Sequence, residues 1–272
     1  MDERLVYVYG IVPAGLELEG APRGLDDTPL SLEGEGGGEI GRGRVAALVS
    51  WLDASAYTPE RIEGLVGDIA WVGPRAVAHD AVLTWARDAG AVIPLPMFTL
   101  FADVTGVQEM LRTRSPTLEA TLARVAPAQE FAVRVFRIDS ELSTRLGELS
   151  PNIAQLEEAS RAATPGQRYL LERKAEAERR SELRRIGTEV GQEVYRSLEA
   201  LSLEGAPDAL PAANAEGSVG TAVLNAFFLV RRDAVARFRE GLSALARRFE
   251  PRGFRFEFTG PWPPYHFVRE RE

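Results

Sequence analysis

The chain closes on Phe254-Arg255-Phe256-Glu257-Phe258-Thr259 and then Gly260-Pro261-Trp262-Pro263-Pro264-Tyr265-His266-Phe267. The first six residues alternate apolar and polar, the pattern of a strand with three phenylalanines on one face. Three prolines in the next four-residue window fix φ and remove three backbone donors. That window can neither continue a helix nor join a central strand. A stiff aromatic arm therefore leaves the end of a buried strand in a fixed direction. Its aromatics admit two readings. Trp262 and Tyr265 can fold back to lock their own domain, or Trp262, Pro263, Pro264, Tyr265 and Phe267 can anchor a partner protein.

At 272 residues the chain is long enough for two domains with separate cores. It has no cysteine, which excludes a disulfide framework, a thiolate nucleophile and a Cys-ligated metal and fits a cytoplasmic location. The opening Met1-Asp2-Glu3-Arg4 is charged and carries no apolar leader segment, and no stretch approaches a membrane span. Forty acidic against 32 basic residues leave a net charge of −8, which disfavours nucleic-acid binding. Lys174 is the sole lysine, which weakens any Schiff-base or P-loop chemistry.

Periodicity along the chain predicts an α+β protein of two domains, divided where Ala126-Pro127-Ala128-Gln129 interrupts the pattern: 1–127 and 128–272. In the first domain, Leu5 to Val12 is apolar on both faces and reads as a central strand. Pro13 to Arg44 reads as an acidic glycine-rich loop containing one short strand, and Val45 to Leu52 as a second core strand. Thr58-Pro59 opens a helix to about Val72. A second helix from Pro74 to Ala89 is expected to bury Val77, Ala81 and Trp85. Pro94 and Pro96 confine Ala91–Phe101 to an edge or bulge, and two short helices follow, the second opened by Ser115-Pro116.

The second domain begins with a strand carrying Phe131, Val133 and Val135, followed by short helices. A long helix spans Gln167 to about Leu201, with Leu183, Ile186, Val190, Val194 and Leu198 as its apolar stripe. On its charged side Glu176 faces Arg180. Gly205–Gly217 reads as loop, then strand Thr221–Val230, a helix N-capped by Asp233, and strand Phe254–Thr259. The arrangement is ferredoxin-like with additional helices. With the first domain's strand blocked by its prolines, the second domain, whose strands Thr221–Val230 and Phe254–Thr259 are strongly apolar, is expected to offer the edge that a partner joins.

Candidate catalytic chemistry is sparse. Gly36-Gly37-Gly38-Glu39-Ile40-Gly41 matches G-x-G-x-x-G, but acidic residues precede it and a strand follows, the wrong context for a dinucleotide site. His79 and His266 are the only histidines, too few for a three-His metal site. His79-Asp80 lies on a helix beside an apolar stripe, which suits a structural histidine. No catalytic triad, metal ligand set or cofactor motif stands out, so no catalytic, metal or cofactor residue is assigned. An enzyme acting in a cleft between the domains would need His79, Asp80 and Arg75 to converge on a pocket.

The G-P-W-P-P-Y run with an aromatic behind it resembles the C-terminal signature of the gas vesicle protein F/L family. In order along the chain, Tyr7-Val8-Tyr9-Gly10-Ile11, Ala78-His79-Asp80-Ala81-Val82-Leu83, Val92-Ile93-Pro94-Leu95, Glu130–Val135, Pro165–Leu170 and Asn225–Val230 resemble further segments of that family. One place departs: where family members carry arginine, an aromatic, glycine and threonine, this chain has Pro96, Met97, Phe98 and Thr99. The resemblance implies a non-enzymatic, cytoplasmic accessory protein of gas vesicle formation. Its partners would be the small hydrophobic shell protein and other accessory proteins, and it would assist shell assembly.

Overall fold

A computed structural model describes residues 4–34, 44–211 and 220–268. The glycine motif at Gly36–Gly41 lies outside them. Two compact units emerge: Met1–Gln129 joined by the segment from Pro261 onward, and Glu130–Gly260. The sequence break at 127/128 places the arm with the second domain, whereas the structure groups it with the first.

The first unit is built on β1 (Arg4–Pro13), β2 (Ser31–Gly34) and β3 (Val45–Asp53). Helices α1 (Pro59–Leu65) and α2 (Ile69–Ala89) follow, then β4 (Ile93–Pro94), β5 (Leu100–Phe101) and α3 (Val104–Val125). The sheet order is β2-β3-β1-β4, with β5 also on β1, and all these pairings are antiparallel. A bulge between Val8 and Gly10 shifts the side-chain alternation of β1 by one residue. Val6, Val8 and Ile11 therefore face one core with Val107, Leu111, Leu118 and Leu122 of α3. Tyr7, Tyr9 and Val12 face the other core, with Val82, Leu83 and Ala86 of α2. At the bulge, a Cβ on Gly10 would lie 2.6 Å from the Ile93 carbonyl oxygen, so only glycine lets β4 pair there.

Several local expectations change. Thr58 caps α1 as predicted, but the helix ends at Leu65 and α2 starts at Ile69, capped by the Asp68 carboxylate on Ala70 N–H. Pro74 thus sits inside α2 instead of opening it. The buried face of α2 is His79, Val82, Leu83 and Ala86; of the three expected core residues Trp85 packs partly buried against this core, while Val77 is 70% exposed and Ala81 also faces out. The two short helices are one helix, α3, running through Pro116. Burial of Leu111, Leu118, Leu122 and Val125 along one face outweighs the roughly 3 kcal/mol that an interior proline costs.

The second unit comprises β6 (Ala128–Arg137), three short helices α4 (Asp139–Ser143), α5 (Leu146–Leu149) and α6 (Pro151–Ala162), and the 35-residue α7 (Pro165–Glu199). Strands β7 (Glu204–Pro207) and β8 (Thr221–Arg231), helix α8 (Val235–Phe249) and β9 (Phe254–Trp262) complete it. The sheet order β7-β8-β6-β9, with α7 and α8 as the main crossovers, is the βαββαβ succession of a ferredoxin-like fold, enlarged by α4–α6. The stripe Leu183, Val190, Val194 and Leu198 is buried, with Ile186 packed beside it, against Phe131, Val133, Val135 and Phe228. Part of the expected Gly205–Gly217 loop is β7, paired to β8; residues 212–219 lie outside the description. Asp233 does not cap α8 but pairs with Arg231 at 2.9 Å. Glu176 and Arg180 form no ion pair; the carboxylate of Glu157 on α6 meets Arg179 instead. β8 is flanked by β7 and β6, so it offers no edge to a partner. β9 ends the sheet, and there Glu257 and Thr259 are exposed and Pro261 interrupts donation, features that protect an edge.

Candidate functional site

The arm that dominates the sequence is anchored by main-chain contacts that no motif records. Arg87, buried on α2, donates through its guanidinium to the Pro261 carbonyl. Arg124, in the last turn of α3, donates to the Phe267 carbonyl. Between them the chain turns on itself, with Tyr265 N–H donating to Pro263 O at 2.7 Å and Phe267 N–H to Pro264 O at 3.2 Å. Pro263, Pro264 and Phe267 are buried, and Tyr265 packs on the α2 side of the sheet. Trp262 is different: it is 40% exposed. The five arm residues therefore divide. Pro263, Pro264, Tyr265 and Phe267 lock the first unit, and Trp262 presents an aromatic surface. A cavity of about 540 Å³ runs beside the arm, lined by Pro94, Leu95, Pro96, Leu118, Thr121 and Tyr265 among others.

Beneath Tyr265 lies a polar-aromatic cluster. The Tyr7 hydroxyl is 2.7 Å from His79 Nδ1 and accepts from Phe98 N–H at 3.3 Å. The other ring nitrogen of His79 donates to the Leu95 backbone, so in the neutral ring Nδ1 carries no proton and accepts from the Tyr7 hydroxyl. His79 stacks on Tyr9 with ring centroids 5.6 Å apart. The Tyr9 hydroxyl pairs with Ser50 Oγ at 2.9 Å and accepts from Leu25 N–H at 2.7 Å. Burial pushes His79 down to about 4 and raises the Tyr7 hydroxyl well above its usual range. His79 is only 5% exposed. It ties strand β1 to helix α2 and to the 95–98 segment. Arg75 points elsewhere, to Asp26 at 2.9 Å and the Tyr57 hydroxyl at 2.9 Å, with its guanidinium 4.4 Å from the Trp71 ring centre. The convergence of His79, Asp80 and Arg75 that an enzyme site would need does not form.

The departure at Pro96–Thr99 gains a physical account. Phe98 has φ of +65°, a conformation that ordinarily selects glycine, and it occupies the place where the resemblance expects one. Its ring stacks on Trp71 at 5.3 Å and leans on Tyr57, contacts that offset the backbone strain.

The α2 face misread as core is a second surface feature. Ile69 is 85% and Val77 70% exposed, with Val66 just before the helix at 54%. Ile69, Gly73, Val77 and Ala81 follow one another at four-residue spacing, a stripe roughly 18 Å long at 1.5 Å per residue. A side chain at Gly73 would meet no atom within 4 Å. Among the described residues no group of three potential metal ligands forms, and no helix is long and apolar enough to cross a membrane.

Residues 5–269 match the family model described as Gas vesicle synthesis protein GvpL/GvpF. The chain belongs to this family. Gas vesicle protein L of Streptomyces sp. (strain CB03234) is 28% identical over 280 residues, covering 98% of this chain and 93% of that one. The fold resembles the crystal structures of GvpF from Anabaena sp. PCC7120 (TM-score 0.71) and GvpF from Microcystis aeruginosa (TM-score 0.65). Each is 18% identical and covers 98% of this chain and 99% of that one. The protein thus has a gas vesicle-related role on a fold shared with the solved GvpF structures.

Proposed function

We propose that this protein is an accessory factor of gas vesicle assembly that holds the small apolar shell protein, together with other accessory proteins, before the shell protein is built in. The observation that carries the reading is the uncovered apolar stripe of α2. Burying Val66, Ile69 and Val77 would contribute about 1.5–3 kcal/mol each, and the notch at Gly73 lets another backbone approach closely. Trp262 supplies a further aromatic contact. A shell subunit with apolar faces and open strand edges aggregates unless such faces are covered. A cover made by apolar contact persists in salt, where charge-steered pairing fades.

The test is co-purification of the shell protein with the full chain and with an Ile69→Asp/Val77→Asp variant, at low and at high salt. Both positions are exposed, so melting temperature stays within a degree or two of the parent while shell-protein recovery falls at least tenfold. Undiminished recovery with the variant, or loss of the parent complex in moderate salt, refutes the proposed face.

A further inference from the structure

The second unit holds a groove that the assembly reading does not use: a cavity of about 730 Å³ between α7 and the start of β8. Its construction begins with Gly187 and Gly191, one turn apart inside α7, where each glycine costs about 1 kcal/mol relative to alanine. A Cβ on Gly191 would stand 2.3 Å from the Val223 carbonyl oxygen, and one on Gly187 would stand 2.9 Å from Val223 Cγ1. The glycines therefore let the helix backbone lie directly on β8. Beside that contact Leu183, Tyr195, Val223, Leu224 and Leu210 form an apolar floor. Leu210 is 53% exposed, which is unusual for a leucine set against other apolar groups.

One wall of the groove is a single ridge of α7. Arg180, Arg184, Thr188, Gln192 and Arg196 recur at four-residue spacing, all exposed and all lining the cavity. End to end the ridge runs roughly 24 Å at 1.5 Å per residue. Arg180 and Arg184 have no hydrogen-bond or ion-pair partner among the described residues, and Arg196 bonds only Gln192, at 3.3 Å. Three carboxylates of the same helix have partners of their own: Glu189 with Arg185, Glu193 with Arg248, and Glu199 with the Tyr195 hydroxyl. Asp139 neutralises Arg137, whose guanidinium also donates to the Leu183 carbonyl at 2.7 Å. Among the described residues, three guanidinium groups thus stand without a carboxylate partner over an apolar floor, in a chain of net charge −8.

We infer that this groove binds an acidic polypeptide segment of a partner protein, with leucine-like side chains on the floor and carboxylates on Arg180, Arg184 and Arg196. Arginine forks take carboxylates bidentately. An extended strand of eight residues, roughly 26 Å at 3.3 Å per residue, matches the ridge in length. The apolar floor and the acidic balance of the whole chain disfavour a phosphate backbone in the same place. This site stands independently of the shell-protein face on α2.

Fluorescence polarisation on the full chain tests it with three labelled octapeptides: alternating glutamate–leucine, alternating lysine–leucine, and all-glutamate. The glutamate–leucine peptide binds saturably, and at least tenfold more tightly than either of the others. An Arg180→Glu/Arg184→Glu double variant weakens it at least tenfold, and Leu210→Asp, a floor change at an exposed position, weakens it at least fivefold. Arg112→Glu, a charge control on α3, leaves it within twofold. Absence of binding, equal binding of the all-glutamate peptide, or indifference to both groove variants overturns the inference. Self-association of the full chain that the arginine reversals abolish would give the groove to a second copy and overturn it as well.

Discussion

The buried imidazole of His79 makes the first unit's stability depend on pH in a defined window. In the folded chain its pKa is pushed down to about 4, chiefly by burial, against an ordinary value near 6.5. Above pH 6.5 the ring is neutral in both folded and unfolded chains and contributes no pH dependence. Below 6.5 the unfolded chain binds a proton that the folded chain refuses, so stability falls by about 1.4 kcal/mol per pH unit until the folded ring titrates near pH 4. The accumulated loss is about 3 kcal/mol. The geometry supplies the reason: a proton on Nδ1 would face the Tyr7 hydroxyl that now donates to it. The hydroxyl can turn to accept only by giving up its present bond. Urea unfolding of the parent and of His79→Gln at pH 7, 5.5 and 4.5 reads this out. The variant is less stable at pH 7 by about 1–2 kcal/mol, having lost a buried hydrogen bond. Between pH 7 and 4.5 it loses about 2–3 kcal/mol less than the parent, and carboxylates common to both proteins cancel in that comparison. Parallel loss of stability in the two proteins would show that His79 is not held neutral, and the network drawn around it would be wrong.

Two further outcomes separate structural from surface roles. Phe267→Ala, at a buried ring, destabilises by about 3–4 kcal/mol, whereas Trp262→Ala changes stability by less than about 1 kcal/mol and lowers vesicle yield in cells; equal stability losses would contradict the division of the arm. In the second unit Gly191→Ala costs at least about 2 kcal/mol, because its Cβ would meet the Val223 carbonyl, while Gly64→Ala on α1, where nothing lies within 4 Å, stabilises by about 0.5–1 kcal/mol. Urea midpoints in the reverse order would contradict the close contact of α7 with β8.

What the sequence displayed was whatever a local period or a local cap encodes. β1 reads as a strand because it is apolar on both faces, β8 because it is strongly apolar and β-prone, and α7 as a long helix because its stripe keeps a helical period. Thr58-Pro59 read as a helix start because capping chemistry sits within one turn. The failures share a different cause. Ser115-Pro116 carries the local signature of a helix start, and only burial against a sheet built from distant residues overrides it. Asp233 was free to cap α8, but Arg231 two residues earlier claims its carboxylate. The arm's docking depends on two arginines donating to main-chain carbonyls 174 and 143 residues away, contacts with no side-chain pattern on the receiving end. His79 was readable as structural, yet Tyr7, 72 residues distant, could not be named as its partner.

The error on α2 carries information of its own. Val77 and Ala81 fit an apolar helical face with Trp85 one turn on, yet only Trp85 packs against the core. In the folded chain the core takes the adjacent face through His79, Val82, Leu83 and Ala86 instead. An amphipathic pattern states only that a face is apolar; it cannot say whether the covering surface belongs to the same chain. Here α2 has two apolar faces and the sheet covers one. Half-exposed single hydrophobics are ordinary on protein surfaces, but Ile69 and Val77 are aligned along one helix face, with a glycine notch between them. A helix apolar on two sides is expected where it is sandwiched between two layers. The first unit supplies one layer, and the proposed shell-protein complex supplies the other.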